Sequence, residues 1–290
     1  MNSRYPEHTL RLAAPAKINL FLHITGRRDD GYHLLESVFV PISLADTVQL
    51  TRREDGEICL LDPPDGITSD TDLTCRAARA LCAETGSKFG VDIRLTKRIP
   101  QGAGLGGGSS DAATALLGLN RLWNLQLSSE RILSIALNLG ADVPFFIRGV
   151  PALVSGIGER IRAVTLPVQH IVVAHPGVPV STAAVFGHPQ LIRDSAASQA
   201  PIFTLSHGQN DMQAAAQLIE PAVSALCDSM RNIGLKPRMS GSGSAVFALQ
   251  GSAETACRAA SKLREMGVSA WAVQTLNQHP LHADFGAAII

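Results

Sequence analysis

Five glycines in seven residues occupy positions 102–108, within the run Pro100-Gln101-Gly102-Ala103-Gly104-Leu105-Gly106-Gly107-Gly108-Ser109-Ser110-Asp111. Lacking a Cβ, glycine takes positive φ and lets backbone N–H groups come close to a ligand. Ala112, Leu116, Leu119 and Trp123 follow at spacings of three and four, so a helix begins directly behind the run. Its unpaired N–H groups and the positive end of its dipole add to the donors of the loop. The chemistry this favours is anion binding, phosphate above all. Ser109 and Ser110 stand at the helix start, where a hydroxyl caps the backbone or meets a phosphate oxygen or a metal-bound water.

Common glycine signatures fit the run poorly. Gly102, Gly104 and Gly107 spell G-x-G-x-x-G, but Pro100 separates them from the strand expected at Val91–Thr96. The acidic residue at a suitable distance, Glu130, lies in what reads as a helix start. No lysine lies inside the loop, which excludes the P-loop form. Asp284-Phe285-Gly286 spells the metal tripeptide of protein kinases, yet no H-R-D-x-x-x-x-N stretch precedes it, and we read it as chance.

Three other segments carry chemistry-bearing residues. In Pro15-Ala16-Lys17-Ile18-Asn19-Leu20 the alternation of a strand puts Lys17 and Asn19 on one face. In Gly140-Ala141-Asp142-Val143-Pro144-Phe145, Asp142 is placed either to cap the next helix or to act as a free carboxylate; its spacing alone leaves both open. Arg238-Met239-Ser240-Gly241-Ser242-Gly243-Ser244-Ala245 is a second small-residue loop, out of register with a nucleophile elbow.

These segments need a framework to bring them together. Strands are expected at Ile18–Ile24, Val38–Ile42, Val48–Thr51, Ile58–Leu61 and Val91–Thr96, with a helix at Leu73–Cys82. Ser128 and Gly140 bracket another helix. A second domain begins near Ile171–Ala174, with helices around Met212–Arg231 and Glu254–Met266 and strands at Ala245–Leu249 and Trp271–Val273. Gly187–Gln209 reads as a variable or mobile insertion.

Composition bounds the partners. With 290 residues, 46% hydrophobic and 17% charged, the chain is globular and long enough for two domains. Lys+Arg and Asp+Glu are both 25, so bulk charge gathers neither nucleic acid nor membrane. The first residues lack an apolar signal region, and no run of 18 apolar residues occurs. Five cysteines without a C-x-x-C pair read as buried thiols of a reducing cytoplasm.

Taken in order, Pro-Ala-Lys-Ile-Asn, Pro-x-Gly-x-Gly-Leu-Gly-Gly-Gly-Ser-Ser and Ser-Gly-Ser-Gly resemble the three motifs of the GHMP small-molecule kinases. Thr25–His33, Leu139–Phe146 and Ala174-His175-Pro176-Gly177 narrow the resemblance to the branch that phosphorylates a tertiary 2-hydroxyl of a cytidine-diphosphate-linked polyol. It runs from Pro15 to about Phe186 and resumes at Met239–Leu249; it is poor across Gly187–Arg238. It implies an α+β fold of two domains, 1–160 and 161–290, the first ribosomal S5 domain 2-like and the second ferredoxin-like, with the site between them. It implies ATP bound by residues Pro100–Ser110, Mg²⁺, Asp142 as the base and Lys17 as its partner at the γ-phosphoryl group. Asn19 would hold the acceptor hydroxyl. Tyr32 and His33 would recognise the base, Phe186 its opposite face, and Thr182 would line the same pocket. A homodimer is compatible with it. Other members of the family, a homoserine or mevalonate-type kinase or a diphosphomevalonate decarboxylase, are the rival enzymes; an RNA-binding module is the rival of another class, disfavoured by the balanced charge.

Overall fold

The computed structural model describes residues 8–63, 66–197 and 208–285. Part of the expected insertion, residues 198–207, and Gly286 of the tripeptide lie outside them. Two long strands open the chain, β1 (Thr9–Arg27) and β2 (His33–Arg53), paired antiparallel along almost their whole length. They merge what the sequence pattern divides into three strands. Pro41 does not break β2, because β5 pairs with it only as far as Phe39 and β4 only from Thr47. It falls where one side of the strand has no ladder to lose.

The rest of the first sheet assembles on β2. β3 (Ile58–Leu61) leads into α1 (Leu73–Thr85), and β4 (Gly90–Thr96) pairs with both β2 and β3. After the glycine loop come α2 (Gly107–Leu122), α3 (Ser129–Leu139) and α4 (Val143–Arg148), then the hairpin β5 (Ala152–Gly156) and β6 (Arg160–Ala163). The sheet order is β3-β4-β2-β5-β6, with β1 on β2. Ser128 Oγ accepts from Arg131 N at 3.4 Å to cap α3, as its position suggests. Leu116 and Leu119 of α2 and Trp123 at its C-terminal end pack with Phe145, Phe146 and the inner face of the sheet in a first core.

The second sheet starts at β7 (His170–His175). It continues through α5 (Thr182–Gly187), α6 (Met212–Ile219), α7 (Pro221–Asn232), β8 (Arg238–Met239), β9 (Val246–Gln250), α8 (Ala253–Glu265) and β10 (Ser269–Gln274), and α9 (Pro280–Phe285) closes the described chain. Its order β10-β7-β9-β8 and its β-α-β-β-α-β succession make it ferredoxin-like. Pro221 starts α7 at its first turn, where its missing N–H costs nothing.

A third core joins the halves. Ala16, Ile18 and Leu20 of β1 and Val38, Val40 and Ile42 of β2 pack on Ile171, Val173 and Phe247 of the second sheet, with Ile99, Ala103 and Leu105 of the glycine loop. No helix among the described residues is long and apolar enough to cross a membrane.

Candidate active site

β1 is irregular on both sides of the Lys17–Asn19 pair, its register shifting at Pro15/Lys17 and again at Asn19/Leu22. Such bulges commonly re-aim side chains beside a site. Lys17, only 4% exposed, donates from Nζ to Asn19 Oδ1 at 2.6 Å and lies over the Phe39 ring at 4.6 Å. Its Nζ is 3.9 Å from Asp142 Oδ2. Burial pulls its pKa below the ordinary lysine value, and the nearby Asp142 charge opposes that only in part.

Asp142 immediately precedes α4, but its side chain makes no capping bond. The reason is local. Asp142 has φ −87° and ψ −13°, outside the extended region a capping residue adopts, and Pro144 at the second helical position removes one of the two backbone N–H groups a cap would serve. The carboxylate keeps a third of its surface exposed and faces Lys17.

The glycine loop is pinned between these groups and the Ser240 loop. Lys17 N donates to Leu105 O at 2.9 Å, and Ser240 Oγ donates to Gly104 O at 3.0 Å while accepting from Asn19 N at 3.2 Å. A Cβ on Gly104 would stand 2.2 Å from Ser240 O, and one on Gly106, at φ +72°, would stand 2.9 Å from Phe146 and 3.3 Å from Lys17 Cγ. Only glycine lets the three segments meet. Asn210 Nδ2 ties the Ser240 loop down from the other side by donating to Met239 O and Gly241 O, each at 2.8 Å. His175 Nδ1 accepts from Gly177 N at 3.1 Å, which leaves Nε2 to donate to Ser244 Oγ at 3.1 Å. That part of the Ala-His-Pro-Gly segment braces the loop.

A cavity of about 580 Å³ opens along residues Pro100–Ser109 and is bounded by Asp72, Thr74, Lys97 and Asp111. Ser109 lines it; Ser110 is fully buried behind it, its Oγ without a partner among the described residues. Motif reading overlooked the wall of this cavity. Lys97 Nζ bridges Asp46 Oδ2 and Asp111 Oδ2, each at 2.5 Å, while Asp111 Oδ1 is buried without a partner among the described residues. Burial pushes the Asp111 carboxyl up to about 7 against the attraction of Lys97. Burial also disfavours the Lys97 ammonium, but Asp111 and Asp46 outweigh it and hold its pKa above the usual value. The available signal was an aspartate directly after Ser109-Ser110, at the fifth position of the helix that follows the glycine loop.

Across the cleft, the His33 and Phe186 rings stack with centroids 4.8 Å apart at 21°. Tyr32 beside them is 62% exposed. Thr182 Oγ1 and Ser242 Oγ share a hydrogen bond of 2.7 Å, linking α5 to the Ser240 loop. Arg193, also overlooked, donates from Nε to His33 Nε2 at 3.1 Å.

The arrangement brings a lysine–carboxylate pair to the mouth of an anion-binding loop, which suits charge neutralisation and proton removal in one place. Residues 72–150 match the model of the GHMP kinases N terminal domain, and residues 189–269 that of the GHMP kinases C terminal domain. A 4-diphosphocytidyl-2-C-methyl-D-erythritol kinase from Cupriavidus metallidurans is 44% identical over 284 residues, covering 95% of this chain and 96% of that one. The chain belongs to the GHMP kinase family. A relative of the same description from Methylibium petroleiphilum is 50% identical over 246 residues, 83% of this chain and 85% of its own. The crystal structure of a 4-(cytidine 5'-diphospho)-2C-methyl-D-erythritol kinase superposes with a TM-score of 0.78 at 36% identity, covering 92% of this chain and 99% of that one. The S5-like and ferredoxin-like halves are those of a GHMP kinase. The C-terminal match also corrects one expectation: the family pattern spans much of Gly187–Arg238, where short motifs show nothing.

Proposed function

We propose that this GHMP kinase transfers the γ-phosphoryl group of ATP to the 2-hydroxyl of 4-diphosphocytidyl-2-C-methyl-D-erythritol, within isoprenoid precursor biosynthesis in the cytoplasm. The observation that carries the reading is that Lys17, paired with Asp142, and the Ser240 loop both bond to the glycine loop that lines the cavity, in a chain 44–50% identical to kinases of that description. Phosphoryl transfer asks chiefly for positioning and neutralisation of charge. Residues Pro100–Ser110 would hold the triphosphate through backbone N–H groups and the N-terminus of α2.

Asp142 would take the acceptor's hydroxyl proton; with no capping bond, its oxygens are available. Lys17 would pair with Asp142 and stabilise charge developing on the transferring group. Asn19 would hold the acceptor near Lys17, and Tyr32, His33, Phe186 and Thr182 would receive the cytidine end. The donor set fits an Mg²⁺ held largely by the substrate's phosphates. No group of three metal-binding side chains occurs among the described residues. Ser109 on the cavity wall would therefore join phosphate oxygens and water around the ion, which would neutralise phosphate charge. The proposal extends to a homodimer, which sedimentation equilibrium would test.

The decisive assay measures ADP release with the cytidylated acceptor against methylerythritol phosphate lacking cytidine. Turnover of the first and not the second is expected; failure with the first leaves a kinase of another substrate.

A further inference from the structure

Arg193 is built into the chain so as to make one bond impossible to misread. Its guanidinium closes the turn after α5, with Nη1 donating to Leu191 O at 3.0 Å and Nη2 donating to Phe186 O and His188 O, both at 2.9 Å. These bonds hold the guanidinium so that Nε–H points at His33 Nε2 at 3.1 Å. An arginine N–H can only donate and never gives up its proton near neutrality. The imidazole nitrogen it meets must therefore carry a lone pair.

From this geometry we infer that Arg193 is a positioning residue that locks His33 in the Nδ1–H form, so that the pocket presents a single hydrogen-bond donor to the base and selects cytidine over uridine. The inference rests on the cytidylated substrate proposed above. His33 Nδ1 has no partner among the described residues, and the stack on Phe186 sets the plane of the ring and so the direction of its N–H. Burial, Arg193 and Arg27 all depress the His33 pKa, which favours the neutral ring. A neutral imidazole with Nε2 occupied as acceptor has one proton to offer, on Nδ1.

The edges of the two pyrimidines differ at the position such a donor reads. Cytosine N3 is an acceptor; uracil N3 carries a hydrogen and is a donor. An Nδ1–H aimed at N3 is satisfied by cytosine and meets a second donor in uracil. A donor covered by the bound base and left unpaired costs roughly tenfold to hundredfold in preference. If the ring were free to change tautomer, Nδ1 could accept from uracil and the preference would vanish. The arginine removes that freedom.

Two measurements test this on the full-length enzyme. Nitrogen-15 NMR of ring-labelled histidine, with His33 assigned by the signal missing in His33→Ala, is expected to show protonated Nδ1 and bare Nε2. Arg193→Met is expected to give a mixture of tautomers. The same variant is expected to lose the roughly 10–100-fold preference in kcat/KM for the cytidine-linked over the uridine-linked acceptor. The loss should appear in KM for the acceptor, with KM for ATP unchanged. An Nε2–H tautomer in the wild-type protein overturns the inference, as does an undiminished preference in Arg193→Met. Should that variant not fold, the wild-type spectrum decides alone. Absence of turnover with either acceptor counts against the proposed substrate, and the spectrum still decides the tautomer.

Discussion

The short hydrogen bond of Lys17 goes to Asn19, at 2.6 Å, and not to Asp142, whose nearest oxygen is 3.9 Å away. Asn19 is itself held, with Nδ2 donating to Ser37 Oγ at 2.8 Å and Ser37 Oγ donating to Phe21 O at 2.5 Å. The amide thus orients a buried ammonium while leaving the carboxylate free for a proton.

Replacing Asn19 by leucine leaves that ammonium buried without its acceptor. The expected cost is about 1–3 kcal/mol of stability, since a buried polar group loses its partner. Turnover should fall because Lys17 no longer has a fixed direction. Urea denaturation and steady-state kinetics on the same preparation check both; an unchanged kcat would show that Asn19 does not orient the lysine.

Asp142→Asn keeps the shape of the side chain and removes its charge and basicity. Because Asp142 makes no capping bond, thermal stability should stay near wild type while kcat drops roughly 10²–10⁴-fold. Lys17→Met should give a loss of similar size, and the double variant little more than either alone. ATP binding by calorimetry is expected to survive in all three. Wild-type kcat in Asp142→Asn returns the base to open.

Neighbouring glycines of the loop should behave oppositely. At Gly106, φ is +72° and a Cβ would press on Phe146 and Lys17, so Gly106→Ala should destabilise the fold by about 1–3 kcal/mol and lower kcat. Gly108 lies inside α2 with only Leu73 at an ordinary 3.7 Å, so Gly108→Ala should gain up to about 1 kcal/mol from helix propensity. Gly108 nonetheless lines the cavity, and KM for ATP should rise in that variant. Melting temperature and KM moving in the same direction is the result to look for.

The two buried histidines of the C-terminal segment predict a pH dependence of stability. His282 Nε2 bonds Ile147 O at 3.0 Å, and burial together with His282 lowers the His279 pKa to about 3. In the unfolded chain His279 titrates near 6.5. Between those values the unfolded state binds the extra proton, so stability falls as pH drops, by up to about 1.4 kcal/mol per pH unit from this residue. Urea titrations at pH 7, 6 and 5 should show a shallower slope in His279→Gln. An unchanged slope would mean the ring is protonated in the folded protein.

Much of this was legible in the residues themselves, and the remainder has identifiable causes. β3 at Ile58–Leu61 and the Ser128 cap follow from local alternation and capping chemistry alone. The glycine loop announces an anion site by composition. The hairpin β5–β6 is hidden by its brevity and by the turn Gly156-Ile157-Gly158-Glu159, which breaks any alternation. Asp142 could not be separated from a cap by spacing; its helical backbone angles together with Pro144 at the second helical position decide it, and both need the helix boundary. Lys97 and Arg193 carry no motif. Each earns its place through partners 51 and 160 residues away, Asp46 and His33, which no local pattern contains.

β1 is bonded to both halves of the enzyme. It pairs with β2 throughout, while Leu22 N donates to Gln209 O at 2.9 Å and Ile24 N to Asp211 Oδ2 at 2.8 Å. A strand held from both sides cannot serve as a hinge. Opening the halves like a clam would break these bonds together with the third core, so the enzyme has no inexpensive way to rock between open and closed shapes. The two substrates must then enter a cleft of nearly constant width, and neither has to bind first to create room for the other. Random-order kinetics and an X-ray scattering radius of gyration that does not shrink on adding ATP are the consequence.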